Sequence, residues 1–272
     1  MSNLAQRILT GLVGAVVVVG AVWVGDWPFA ALMTLVALGA QYELYGLLRA
    51  GGVKPLVGLG LFLGAVAVVA PLTEAAASLL TVGALAVLAG VLFVRRETAL
   101  LDAAGTLFGV VYPSALVGLV IALRLGEADW MVGTDAFWLT TTLLFCVWGS
   151  DSFAYFAGRA FGRRKLFERV SPNKTWEGAI GGAVGAVALA SVAKVVVLDA
   201  VLTWPDVAFI GFACGVASQI GDLAESHFKR SVGVKDSATW LPGHGGLLDR
   251  IDAAVVSIPL VVIYLDLVKG LG

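Results

Sequence analysis

Charge is scarce in this sequence. Only 14% of its 272 residues are Asp, Glu, Lys or Arg, against about 25% in a typical soluble domain. The two cysteines, Cys146 and Cys214, sit in apolar runs with no paired spacing, which excludes a disulfide scaffold and a structural zinc site. A basic excess is also lacking: 18 basic and 19 acidic side chains argue against a nucleic-acid binder. No Walker A pattern, GxGxxG fingerprint, HExxH or GxSxG occurs, so a conventional nucleotide fold, a zinc peptidase and a serine hydrolase are unsupported. What the chain has in abundance is apolar length. Hydrophobic residues make up 59% of it, and the mean hydropathy is +0.94. A water-soluble globule of this size could not bury so much apolar surface, and an integral membrane protein is expected.

Nine apolar runs, near 8–25, 28–48, 55–71, 74–94, 104–123, 136–157, 178–198, 205–224 and 251–268, read as candidate spans. Their continuity favours helices over a membrane barrel, whose strands alternate apolar and polar residues. The expectation is an all-α, polytopic integral membrane protein of about nine transmembrane helices. The first run has no small-x-small cleavage site after it and reads as a retained span. With the N-terminus cytoplasmic, fifteen of the eighteen basic residues fall on the cytoplasmic side, Arg124 and Lys269 lie opposite, and Lys194 lies within a span. The organisation expected is residues 1–125 as five N-terminal spans and 126–272 as a catalytic region of four, with cytoplasmic loops 158–178 and 225–250.

Polar residues concentrate in two segments, 151–178 and 222–252, which together hold eighteen of the 37 charges. Both fall on the cytoplasmic side, so chemistry is expected there. Asp151 follows an apolar run, where an acid costs about 2.5–3.5 kcal/mol and so faces protein, water or an ion; pairing with Arg159 is the structural alternative. The cluster Arg159, Arg163, Arg164 and Lys165 could be a topology determinant attracted to anionic lipid. Ser171 followed by Pro172 reads as a helix N-cap and first turn, with free N–H groups beside Lys174 that suit a phosphate, although ordinary capping explains the pair almost as well.

In the second segment Ser218, Asp222, Glu225 and Lys229 recur at helical spacing and share one face. Two acids one turn apart repel unless a cation joins them. A divalent ion held by carboxylate oxygens, plausibly Mg²⁺, resolves this, and partial protonation or pairing with Lys229 and Arg230 is the alternative. Leu241 to Gly246 is a Pro/Gly-rich loop containing His244, whose glycines permit close backbone approach. Asp249, Arg250 and Asp252 open the last span, where acids are also favoured by the helix dipole alone. Carboxylates, basic side chains and glycine-rich backbone at a membrane surface suit phosphoryl or nucleotidyl transfer to a lipid, a chemistry of positioning and charge neutralisation.

The stretch Ser226 to Asp252, SHFKRSVGVKDSATWLPGHGGLLDRID, resembles the signature of the phosphatidate cytidylyltransferases, the CDP-diacylglycerol synthases, without departure. Asp151, Ala154-Tyr155, Gly158-Arg159, Phe161-Gly162, Lys165 and Ser171 to Gly178 also look like that family; the first 100 residues match mainly in character. The resemblance implies transfer of CMP from CTP to phosphatidate, giving CDP-diacylglycerol and pyrophosphate in phospholipid biosynthesis, with Mg²⁺ and room for a second cation. It implies a bacterial cytoplasmic (inner) membrane protein, with a homodimer plausible. By the same resemblance Asp222 and Asp249 are the expected metal ligands, with Asp151, Glu225 and Asp252 less well supported. Lys229, Arg230, Lys235 and Arg250 should neutralise the triphosphate, with Asp236 part of the same motif. Arg159 and Lys174 are candidates for the phosphatidate phosphate, with Lys165 and Ser171 nearby. His244, Gly245 and Gly246 should shape the nucleotide site. The rivals are a related enzyme with another acceptor, such as a CDP-archaeol synthase or a polyprenol kinase, and a transporter or channel.

Overall fold

A computed structural model describes residues 3–93, 97–126, 128–238, 240 and 245–270, with side chains from residue 9 onward. Helices occupy every apolar run: α1 (Asn3–Val24), α2 (Asp26–Ala50), α3 (Val57–Val69), α4 (Ala76–Val91), α5 (Ala99–Gly109), α6 (Leu116–Leu125), α7 (Asp135–Phe161), α8 (Trp176–Val196), α9 (Trp204–Phe212), α10 (Ser218–Ser231), α11 (Leu248–Ile251) and α12 (Ala254–Lys269). Four described stretches are long and apolar enough to cross a bilayer: Asp26–Ala50, Ala99–Leu125, Trp176–Val196 and Trp204–Ser231. Leu9–Val24, Val57–Leu72 and Ala76–Val91 are apolar but shorter. Leu12, Val16, Leu35, Phe62, Leu88, Val184 and Val196 are all exposed on these helices. In water that surface would aggregate, whereas against acyl chains it is stable.

The chain divides into two compact units, Met1–Leu125 with Phe228–Ile251, and Gly126–His227 with Asp252–Gly272. In the first, Leu63, Ala67, Val87, Ala103 and Val110 form the core. A buried polar thread runs beside it. Gln41 donates to Tyr45 (2.8 Å) and to the Gly60 carbonyl (2.7 Å), Tyr45 donates to the Thr106 carbonyl (2.8 Å), and Ser114 donates to Gln41 (2.6 Å). Between α5 and α6, residues Val110–Ala115 form a π turn around Pro113, whose missing N–H and ring bulk disfavour regular α-helical bonding. Asp102 caps the turn before α3 by accepting from the Lys54 amide at 2.7 Å, and Arg124 donates to the Val22 carbonyl at the end of α1.

The second unit is built on α7 and α8. Gly178, Gly181, Gly182 and Gly185 of α8 lie against Ala154, Ala157, Ser150 and Phe153 of α7, so the small-residue face is used inside the chain. Cys146 and Cys214 are buried and unbridged, as small hydrophobes. A second π turn, Ala213–Ala217, joins α9 to α10, and Gly215 there meets the backbone of Ala183. At the far end, Lys269 pairs with Asp206 at 2.7 Å and Tyr264 donates to the same carboxylate at 2.9 Å, tying α12 to the start of α9.

One expectation is corrected. Ser171-Pro172 does not start a helix. Lys165–Phe167 (β1) and Ser171–Thr175 (β2) pair antiparallel, with Lys165 opposite Thr175 and Phe167 opposite Ser171. The helix begins at Trp176, where the Thr175 hydroxyl accepts from the Gly178 amide at 3.1 Å. Pro172 suits either setting, because its fixed φ and missing donor are tolerated in a two-stranded edge as well as in a first turn.

A Cβ on Gly182 would lie 2.9 Å from the Ser150 carbonyl oxygen. Gly182→Leu should therefore destabilise the α7/α8 pair by about 1–3 kcal/mol. The check is thermal unfolding in detergent; an unchanged midpoint would show that these helices do not pack there.

Candidate active site

Two polar constellations form, one in each unit. In the first unit Lys229 and Asp249, at the two ends of the signature segment, meet. The α10 helix presents the Lys229 ammonium to Asp249 Oδ1 at 2.5 Å, with both side chains buried. Asp249 Oδ2 accepts from the Ser237 amide (3.0 Å), the Ser237 hydroxyl (3.0 Å) and the Gly246 amide (2.8 Å). A buried ionised carboxylate without partners loses several kcal/mol of hydration, and this one is compensated by a cation and two amides, with the one Ser237 hydroxyl proton shared between it and Glu43. Burial pushes the Asp249 carboxyl up; the Lys229 ammonium and the Gly246 and Ser237 amides outweigh it and hold the group below the usual aspartate range.

The glycines are required by this geometry. Gly245 has φ +76°, and a Cβ there would come within 2.5 Å of Asp249 Oδ2. A Cβ on Gly246 would overlap Glu43 and Ser237. Their expected part in shaping a nucleotide site acquires a prior structural meaning: the Gly246 amide is given to Asp249. The outer wall of the segment is α2. Glu43, only 3% exposed, accepts from the Leu247 amide (2.9 Å), the Leu248 amide (2.9 Å) and the Ser237 hydroxyl (2.7 Å). Tyr42 stacks on Trp240 with centroids 6.0 Å apart. Neither Glu43 nor Ser237 was singled out by sequence reasoning. The available signal was the one carboxylate of the apolar run 28–48, near its end, which is costly unless it has a task.

In the second unit β2 carries Lys174 to Asp222 of α10, with Nζ and Oδ2 2.5 Å apart, and Ser226 donates to the other oxygen at 3.3 Å. Glu225, one turn along α10, is fully buried. A Cβ on Gly221 would lie 2.5 Å from the Asp252 carbonyl oxygen, so α10 approaches the start of α12 at this point. Asp222 and Glu225 stand one turn apart on α10, and the stretch that carries Asp252 meets the helix beside them, while Asp151 is exposed on α7. Neighbouring acids repel one another and favour a cation between them. Among the described residues, however, no group of three His, Cys, Asp or Glu side chains is placed to hold a metal ion by itself.

The remaining expected residues are surface groups or lie outside the description. Arg230 is exposed and donates to the Val234 carbonyl, while Lys235, Asp236 and Arg250 are exposed. Arg159 is exposed on the last turn of α7 and reaches the Tyr155 hydroxyl at 3.1 Å. Lys165 donates across the hairpin to the Pro172 carbonyl at 2.6 Å, and Ser171 pairs with Phe167 on the same hairpin. Ser218, at the start of the α10 face, is buried and donates back to Cys214. His244, Arg95 and Arg96, and the side chain of Arg7, lie outside the described residues.

The chain is helical and of membrane type, with two carboxylate–lysine centres in its polar segments. The model of the cytidylyltransferase family matches residues 5–268, and the chain belongs to that family. It is similar over nearly its whole length to proteins named phosphatidate cytidylyltransferase. The relative from Brucella abortus is 36% identical, over 97% of this chain and 94% of its own. That from Bacillus subtilis is 35% identical (98% and 99%), and that from Synechocystis is 34% identical (96% of each).

The Asp249 pair sets a pH dependence. A depressed carboxyl contributes stability that is complete above its unfolded pKa of about 4 and is lost as pH falls through its lower folded value. The stability difference between the wild type and Asp249→Asn should therefore be constant from neutral pH down to about 5 and shrink below about 4. Denaturant titrations in detergent across that range check it, and a difference that grows on acidification would contradict the pairing.

Proposed function

We propose that the chain is a phosphatidate cytidylyltransferase, transferring CMP from CTP to phosphatidate and releasing pyrophosphate. The observation that carries this is the family match over residues 5–268 together with the polar partners that the signature segment gives Asp249 from Lys229, Ser237 and Gly246. In the reaction a phosphate oxygen of phosphatidate forms a bond to the α-phosphorus of CTP, and the bond from that phosphorus to the bridging oxygen breaks in line. Pyrophosphate leaves with the electron pair. No general base is needed, because the attacking phosphate is already anionic.

The exposed Arg230, Lys235 and Arg250 are assigned to the triphosphate and the leaving pyrophosphate. Lys174 and Arg159 are assigned to the phosphatidate phosphate, with Lys165 and Ser171 on the adjoining hairpin. Each acid expected to bind metal already holds an ammonium, Asp222 that of Lys174 and Asp249 that of Lys229. A cation is therefore accepted at both, and ligation by either acid would exchange its lysine. The donor set suits Mg²⁺ held by one or two carboxylates, its remaining positions filled by water and substrate phosphate rather than by a protein cage. When bound, Mg²⁺ would offset the charge that develops on the phosphoryl oxygens. Glu225, Asp252 and Asp151 supply the negative field that would favour this cation, or a second one, in their unit.

The finer membrane reading belongs to the same proposal: nine spans, a cytoplasmic N-terminus, and a site facing the cytoplasm of a bacterial inner membrane. The fifteen-to-two distribution of basic residues supports it. A homodimer would need a face other than the glycine stripe of α8, which is already covered by α7.

The test is direct. Purified protein with labelled CTP and phosphatidate should yield a liponucleotide and pyrophosphate, lose that activity without Mg²⁺, and prefer phosphatidate over an unsaturated ether-lipid phosphate in competition. Asp222→Asn should reduce turnover by at least about 100-fold while the protein stays monodisperse. Wild-type turnover by that variant would remove Asp222 from the site, and preference for the ether lipid would reassign the acceptor.

A further inference from the structure

Glu43 lies on α2, nearly two hundred residues from the segment it touches, and outside both polar segments of the sequence. We propose that Glu43 is a positioning residue, which sets the backbone of the signature loop and through it the carboxylate of Asp249. The inference rests on the cytidylyltransferase reading for its consequence in catalysis, and on geometry alone for the positioning itself.

Three features carry it. First, Glu43 is buried and both its oxygens are engaged by this one segment: Oε1 by the Leu247 amide, and Oε2 by the Leu248 amide and the Ser237 hydroxyl. Leu247 and Leu248 immediately precede Asp249, so the carboxylate fixes the two peptide units, 246–247 and 247–248, that lead into Asp249. Second, the Ser237 hydroxyl lies 2.7 Å from Glu43 Oε2 and 3.0 Å from Asp249 Oδ2, so one shared hydroxyl separates the two acids. Third, the contact belongs to a stripe of α2. One turn earlier, a Cβ on Gly39 would run into the Leu247 side chain, and Tyr42 stacks on Trp240. Residues 39, 42 and 43 occupy one helical face, and the loop is laid along it.

A carboxylate is a poor choice if packing is the only need. An apolar side chain would fill α2 at lower free energy, and the loop amides could be satisfied by other means. What a carboxylate uniquely offers is two acceptor oxygens at fixed separation with no donor. That matches two successive N–H groups and a hydroxyl, and a neutral amide cannot reproduce it, because one of its two ends would present N–H to N–H.

The test compares Glu43→Gln and Glu43→Asp with the wild type, in detergent, by hydrogen–deuterium exchange and by steady-state kinetics with CTP and phosphatidate. In Glu43→Gln, amides in peptides spanning 245–250 should exchange at least about tenfold faster, the equivalent of one lost hydrogen bond, while peptides of α3 to α6 are unchanged. The kcat should fall at least tenfold with KM for CTP within about threefold, because the group displaced acts in the chemical step rather than in nucleotide capture. Glu43→Asp keeps the acceptors on a shorter stem and should restore part of the protection and part of kcat; it carries the same test should the glutamine variant not fold. Unchanged exchange at 245–250 overturns the proposal. So does a uniform rise in exchange with kcat per folded molecule intact, which would make Glu43 merely structural. If the wild type forms no CDP-diacylglycerol, the enzymatic reading fails, while the exchange result still decides whether Glu43 positions the loop.

Discussion

A carboxylate removed from water must be given donors, and the first unit is arranged around that requirement. Asp249 receives an ammonium, two amides and a hydroxyl; Glu43 receives two amides and a share of the same hydroxyl. Nearly every unusual feature of the signature segment follows. Gly245 and Gly246 are glycines because the acids occupy the space a Cβ would need. Ser237 is a hydroxyl because it stands between two acceptors. Lys229 is buried because its charge is matched. Beside its apolar contacts, Leu247 at Gly39 and Trp240 on Tyr42, the segment is held by directional bonds to two charges, and hydrogen bonds to ions are about twice as strong as neutral ones.

The second unit answers the opposite problem. Its acids are gathered rather than individually enclosed. Asp222 has a lysine and a serine, and Glu225 and the stretch that carries Asp252 stand beside it on the same stretch of α10. Acids so gathered are a standing attraction for cations and a repulsion for bare phosphate. Phosphates approaching a site of this kind therefore need lysines, arginines or a metal to accompany them, which is the combination that nucleotidyl transfer requires. The close glycine packing of α7 on α8 and the short hairpin that carries Lys174 make this gathering possible, because they bring a strand residue onto the acidic face of α10.

The helices were legible because apolar runs of about twenty residues have few alternatives in a bilayer. The shared face of Ser218, Asp222, Glu225 and Lys229 was legible because helical periodicity needs no tertiary information. The hairpin was not. Ser171-Pro172 satisfies the local rules for a helix start, and what overrides them is pairing with Lys165 to Phe167 together with a better cap at Thr175. Glu43 went unnoticed because a single acid near the end of a span reads as an interfacial residue. Its partners lie about two hundred positions away.

The class of molecule, the helical segments and the residue types available at the signature are readable from the chain alone. Composition, periodicity and motif are local properties, and they survive without knowledge of neighbours. Which acid is enclosed, which lysine answers which carboxylate, and the use of α2 against the signature segment emerge only in the folded arrangement. Those outcomes depend on desolvation and on donor geometry. Both are set by what surrounds a side chain in space rather than by what precedes it in the chain.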